Sequence, residues 1–297
     1  MRINSRSLSY AGALLLAGTA ALAAPAAAQA SAALPPPVVP CSSSALVAAI
    51  QQANGARFAA LVLSRGCDYV LTSAAAPGDG LPPITGNLVI LGTGGTTISR
   101  SSSAAFRIFD VAGGRLALVN VTVANGNGAG TGGGILDNGS LVLRNVRLTG
   151  NTSGTAGGLG VGGSAQAAVS FSQLTGNSAT SATGGGIENA GQLAVDHSRL
   201  AGNTAVAFGG GLITEQGATS RVTRTSVAHN SLATKGGGIA NLGTTVLTLD
   251  RVVFNQAGDG GGIFNFPNGT VSLRLTLVAF NSPDNCTPQG TIRGCRN

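Results

Sequence analysis

Ten carboxylates, two histidines and a scatter of arginines are the side chains of this 297-residue chain that could do acid–base chemistry. The acids are Asp68, Asp79, Asp110, Asp137, Glu188, Asp196, Glu215, Asp250, Asp259 and Asp284. Hydrolysis of a glycoside needs two carboxyls held about 5–9.5 Å apart. Asp196 and Asp250 come nearest to that demand, on an outward column two repeats apart with Thr223 between them. Two strand spacings separate them by about 10 Å, at the edge of the inverting range. β-Elimination would need several carboxylates around calcium and an Arg or Lys base. Arg199, Arg224 and Arg251 could be that base, but two acids spread over three repeats make a poor calcium site. Asp196 and His197 are neighbours in a strand, where successive side chains take opposite faces, so no Ser-His-Asp triad is expected. His229 has no equivalent place in its repeat. No catalytic set is therefore assigned; Asp196, Asp250, Arg199 and Arg251 are the weak candidates if the chain is an enzyme. No metal site and no cofactor is expected.

The elements that position these residues are set by a repeat. Glycine clusters end in an aliphatic anchor at Ile135, Leu159, Ile187, Leu212, Ile239 and Ile263, spaced 24 to 28 residues apart. A second marker, Asn151, Asn177, Asn203, Asn230, Asn255 and Asn281, recurs every 25 to 27 residues. Eight residues before the Asn stand Leu143, Val169, Val195, Val222 and Leu273, with Leu249 expected to fill that column in the shortened repeat ending at Asn255. Three before it stand Leu148, Leu174, Leu200, Val227, Val252 and Val278. These columns face a core. Four before it, Arg147, Gln173, Arg199, Ser226 and Arg251 form a polar stripe that must face water.

One repeat cannot bury its apolar face alone, but stacked coils bury one column repeatedly. The fold class read from this is all-β: a parallel β-helix, a single-stranded solenoid of about 26 residues per coil. A buried Asn is costly unless its amide is bonded, and the Asn marker is expected to form an internal ladder. Gly supplies the positive φ of a tight corner. Asp137, Asn189, Asn241 and Asn265, two residues after their anchors, read as a further turn column able to take left-handed backbone. The period excludes a nine-residue calcium roll.

Residues 1–30 read as a signal peptide: Arg2 and Arg6, an apolar Ala11–Ala24, and the Ala28-Gln29-Ala30 cleavage site. Residues 31–40 read as a mobile Pro/Ala-rich leader, and 41–297 as one β-helix domain. In that domain 41–86 is an N-terminal cap with first strands, 87–281 the coils and 282–297 a disulfide-closed C-terminal cap. Ser43–Asn54 reads as a short capping helix with Leu46 and Ile50 one turn apart. In an oxidising compartment Cys41–Cys67 and Cys286–Cys295 are the simple pairing, one bridge at each end, although four Cys allow three pairings. The spacing fits no zinc motif.

The net charge of +7 contains no Lys/Arg run, which excludes nucleic acid as the expected partner. No segment after the signal is apolar enough to span a membrane. Trp is absent and aromatics are few, which argues against a sugar-processing cleft; Phe171, Phe208, Phe254 and Phe280 are expected to stack in the core or at corners.

The LTGN segments ending at Asn151 and Asn177, LAGN ending at Asn203 and VAHN ending at Asn230, alternating with GGGI, resemble the FxxN and GGA[ILV] repeats of polymorphic outer membrane proteins. The mature chain resembles a secreted bacterial right-handed parallel β-helix protein of the pectin-lyase-like superfamily, over roughly 87–281. The resemblance implies a three-sheet coil and secretion or surface display, but no single activity. Gly often replaces the motif's Ala and no C-terminal barrel is seen, so autotransport is not expected.

The function read from the sequence is a secreted or cell-surface, non-catalytic β-solenoid with a binding, adhesion or structural role. Its expected partner is an anionic polysaccharide or cell-wall polymer on the stripe. The alternative is a polysaccharide lyase or glycoside hydrolase.

Overall fold

The computed structural model describes residues 36–232 and 234–297. The expected signal peptide lies outside the described residues. What is described is an all-β parallel solenoid of about 10 turns and about 26 residues per turn. Every pairing between its strands is parallel, and neighbours are one coil apart in sequence. Gln166–Ser170, for example, pairs in register with Ser140–Arg144 on one side and Gln192–Asp196 on the other.

Each regular coil contributes to three sheets. The coil from Ile187 illustrates the plan. Ile187–Asn189 belongs to an eight-stranded sheet; Gln192–Asp196 and Arg199–Ala201 belong to a 17-stranded sheet bent at a corner; Thr204–Ala205 belongs to a five-stranded sheet. Side chains alternate in and out along these strands, so Leu193, Val195 and Leu200 stack under the same positions of the neighbouring coils in one continuous core. In the coil ending at Asn255 the core column is filled by Leu247, paired with Val222 and Leu273, not by Leu249. The deletion falls upstream of Thr244–Thr248, so the eight-residue spacing to the Asn survives. Leu249 instead sits at the corner with φ 61° and is 43% exposed.

The Asn column is a hydrogen-bonded ladder. Asn151, Asn177, Asn203, Asn230, Asn255 and Asn281 each donate from Nδ2 to the Oδ1 of the next rung at 3.0–3.1 Å, with Asn285 as the last acceptor. Each rung also donates to a carbonyl of the preceding coil, as Asn203 does to Leu174 at 2.9 Å. Both amide hydrogens are thus satisfied along a ladder that is buried in every rung but the last. The glycines beside the ladder do two jobs. Gly184 takes the left-handed corner at φ 71°. Gly186 has an ordinary φ, but a Cβ there would lie 2.5 Å from the Gly211 carbonyl and 3.0 Å from the Asn203 amide. The cluster is a corner followed by a close approach to the next rung.

Asp137, Asn189, Asn241 and Asn265 are not left-handed turn residues. They end strands of the eight-stranded sheet, share a register column with Val161 and Thr214, and are buried. Strand alternation turns their side chains inward, where Asn241 donates to Asn265 Oδ1 at 2.8 Å and Asn189 to Ser220 Oγ at 2.9 Å.

The helix α1, Ser43–Asn54, is capped by the Ser42 hydroxyl, which accepts from the Ala45 N–H. It buries Leu46, Ile50 and Ala53 over the first coils. A Cys41–Cys67 disulfide ties it there. Val38–Val39, assigned to the mobile leader from sequence, pairs with Val62 and Leu63 and extends the sheet. A Cys286–Cys295 disulfide lies in the last segment, whose Ile292 is buried against the core.

Candidate functional site

The stripe follows from register. Arg147 pairs with Gln173, Gln173 with Arg199, Arg199 with Ser226 and Ser226 with Arg251. All five side chains point out of one sheet, flanked by Thr122 on one side and Leu277 on the other. Among the described residues the only ion pairs are Arg107–Asp79 and His197–Asp196, so the guanidinium groups of Arg147, Arg199 and Arg251 have no carboxylate partner. A rank of cations two coils, or about 10 Å, apart, with neutral Gln and Ser between them, is matched by an extended polyanion.

The corner that enters this sheet carries Asn145, Phe171, His197, Arg224, Leu249 and Leu275, all at positive φ. Phe171 is held between the Arg144 guanidinium, 5.4 Å from its ring centre, and the His197 ring at 5.0 Å. The exit corner carries a second stack, His229–Phe254–Phe280, with ring centres 5.3 Å apart. Phe171, Phe254 and Phe280 are exposed; a corner side chain in left-handed backbone is thrown outward, away from the core.

The expected pairing of Asp196 with Asp250 does not exist. Asp196 continues through Thr223 to Thr248. Asp250 lies two residues on and is 2% exposed. It occupies an internal corner ladder, in which Ser172 accepts from Val146 N–H, Ser198 from Ser172 N–H, Thr225 from Ser198 N–H and Asp250 from Thr225 N–H. Its second oxygen accepts from Thr248 N–H at 2.6 Å. Burial pushes its carboxyl up to about 6, against the pull of those two N–H groups. A carboxylate spent on backbone donors inside a corner is not a partner for a substrate. Asp196 and His197, expected on opposite faces, are bonded at 2.7 Å between Oδ2 and Nδ1. The strand ends at Asp196, and the left-handed φ of His197 (44°) swings the imidazole back beside it.

Three acidic features escaped the sequence reading. Asp79 pairs with Arg107 at 2.7 Å, and Asp110 lies close enough to Arg107 to feel its charge. Burial raises both carboxyls, and Arg107 opposes it. Asp79 bridges Arg107 across one irregular coil, so the 28-residue step between them was the available signal. Burial also raises Glu188, with Thr155 and Thr183 hydroxyls opposing, and raises Glu215, where the Glu188 charge adds to it. Asp137 is fully buried; burial holds its carboxyl at about 6, with one oxygen accepting from Gly139 N–H and the other without a partner. Among the described residues no three His, Cys, Asp or Glu side chains gather as a metal site, and no helix is long and apolar enough to cross a membrane.

No protein-family model, curated protein or solved structure matches the chain.

Proposed function

We propose that this chain is an extracellular or cell-surface β-solenoid with a binding or structural role, and that its basic face holds an anionic polysaccharide or cell-wall polymer. The observation that carries the reading is the in-register, unpaired row Arg147–Gln173–Arg199–Ser226–Arg251. Two disulfides are compatible with an oxidising compartment, as is the signal peptide read in residues 1–30. The stacked Asn rungs beside glycine corners support a right-handed member of the pectin-lyase-like β-helices with repeats like those of polymorphic outer membrane proteins. Parallel crossovers are overwhelmingly right-handed.

The alternative, a polysaccharide lyase or hydrolase, loses its best acid pair with Asp250 buried. It would have to use partly buried acids such as Glu188 and Glu215.

Retention on an immobilised polyuronate should fall as salt rises. The Arg199→Ala/Arg251→Ala double variant should bind about tenfold more weakly, two exposed charge contacts being worth about 1.4 kcal/mol together. Salt-independent retention, or a double variant that binds like the parent, would remove the stripe from the function. Release of unsaturated or reducing ends from the same polymer would favour the enzyme.

A further inference from the structure

The regular solenoid is broken once beside the stripe. Between Leu91 and Thr96 the pairing register jumps, and the segment Gly92-Thr93-Gly94-Gly95 has no partner in the next coil, although Gly92 still pairs with Leu63 in the preceding one. It is not loose: Thr93 Oγ1 donates to the Leu63 carbonyl at 2.9 Å, and the Gly94 carbonyl accepts from Gly66 N–H at 2.9 Å. The bulge forms one end of a groove of about 510 Å³ that crosses four coils and ends at Phe171. Between them lie Asn120, Asn145, Arg147 and Gln173.

The lining is chemically one-sided. It contains no carboxylate, and its one charged group, Arg147, has no ion pair among the described residues. Asn145 Nδ2 donates to Asn120 Oδ1 at 2.7 Å. That bond leaves the Asn120 amide hydrogens and the Asn145 carbonyl oxygen for outside partners, a donor and an acceptor suited to vicinal hydroxyls. Phe171, braced by Arg144 and His197, lines the end of the groove nearest the rest of the stripe, beside Gln173. Its φ of 51° is unfavourable for a bulky side chain.

The column through Arg147 also changes sign at this groove. Beyond Arg147 it runs to Thr122, Thr97 and then exposed Asp68. A polyanion lying along Arg251, Arg199 and Arg147 therefore has the Gly92–Gly95 bulge beside its path and a negative charge at the end of it.

We propose that this groove is an end-binding subsite: it takes the terminal residues of an anionic, polyhydroxylated chain whose body lies on the basic stripe. The inference rests on the polyanion reading above and adds a polarity to it. The chain stops at the Gly92–Gly95 bulge instead of running past it.

The test is competition for polyuronate binding by polyuronate oligomers of increasing length, compared at equal mass, with full-length protein. End binding predicts that short oligomers, which carry more ends per gram, compete best. Thr122→Glu puts a carboxylate on the groove floor outside the stripe, at a half-exposed strand position, and should weaken oligomer binding about tenfold. An unchanged melting transition controls for folding. Potency per gram that rises steadily with length, or Thr122→Glu oligomer binding equal to the parent's, overturns the end subsite. If Arg199→Ala/Arg251→Ala loses the polymer while Thr122→Glu changes nothing, the stripe stands and the groove falls. If the parent binds no polymer, the stripe reading falls, and calorimetric titration with a short oligomer decides the groove alone: heat abolished by Thr122→Glu supports it, and no heat overturns it.

Discussion

Asn203→Ala is expected to destabilise the solenoid by about 4 kcal/mol, since several buried polar groups lose a partner and each costs roughly 1–3 kcal/mol. Asn203 sits in mid-ladder and is fully buried. Its Oδ1 accepts from both the backbone N–H and the side-chain amide of Asn177 at 3.0 Å. Its Nδ2 donates to the Leu174 carbonyl at 2.9 Å and to Asn230 Oδ1 at 3.0 Å. Alanine removes all four of these bonds in a space closed by Gly186. Asn230 Oδ1 keeps the residue-203 backbone N–H and Asn177 Nδ2 keeps the Leu148 carbonyl, while the Asn177 backbone N–H and one of its amide hydrogens lose their acceptor. Asn203→Asp keeps the acceptor but replaces the donor by a buried charge. It should be destabilised further at neutral pH and recover in acid, when the carboxyl can donate one hydrogen. Denaturant unfolding monitored by far-UV circular dichroism measures both. A loss below about 1 kcal/mol for Asn203→Ala would mean that water enters and replaces the rung.

Asp137→Asn should raise stability at pH 8 by about 3 kcal/mol and change little at pH 4, because each unit of pKa shift is worth about 1.4 kcal/mol. The sign follows from the direction of the shift. Burial raises the Asp137 carboxyl from 3.8 to about 6 in the folded chain. The folded state then binds the proton more tightly than the unfolded state. Its stabilising effect is complete below about 4, is lost as pH rises through about 6, and is absent above that. Asp250, shifted to about 6 by burial in spite of its two N–H donors, adds to the same slope. The parent should therefore be more stable at pH 4 than at pH 8 with respect to these two groups. Asn fits at 137 because Asn189, Asn241 and Asn265 already occupy that column. Asp250→Asn is not equivalent, since its new NH2 would face a backbone donor. Thermal melts of parent and Asp137→Asn at several pH values test this. A variant with the parent's full slope would locate the titration elsewhere.

The candidate site was legible where it repeats and illegible where it does not. The stripe needed only the Asn marker, because a column four residues before a fixed inward position must keep one face in every coil. The corner residues were misread, since strand alternation stops there. His197 was assigned a face by a rule that no longer applies once its φ is positive. Asp250 was taken for a surface acid because its neighbours in the ladder are Ser172, Ser198, Thr225 and Thr276. Three residue types, Ser, Thr and Asp, serving as one hydroxyl-or-carboxyl acceptor hid the column. The groove was unreadable for a related reason: Gly92–Gly95 departs from the repeat, and a bulge announces itself only by the register of the strands around it.

By itself the sequence determined the class of fold, the length of its coil, the inward columns, the Asn ladder and the outward arginines. Periodicity does this because stacking puts equal positions over one another, so that one residue's environment is every equivalent residue's environment. Tertiary structure alone decided what happens at corners and breaks: which acids are buried, which rings are exposed and where the basic face ends. Those outcomes depend on single φ values and on contacts between residues about 26 apart, in which no repeated pattern averages out the particular side chain.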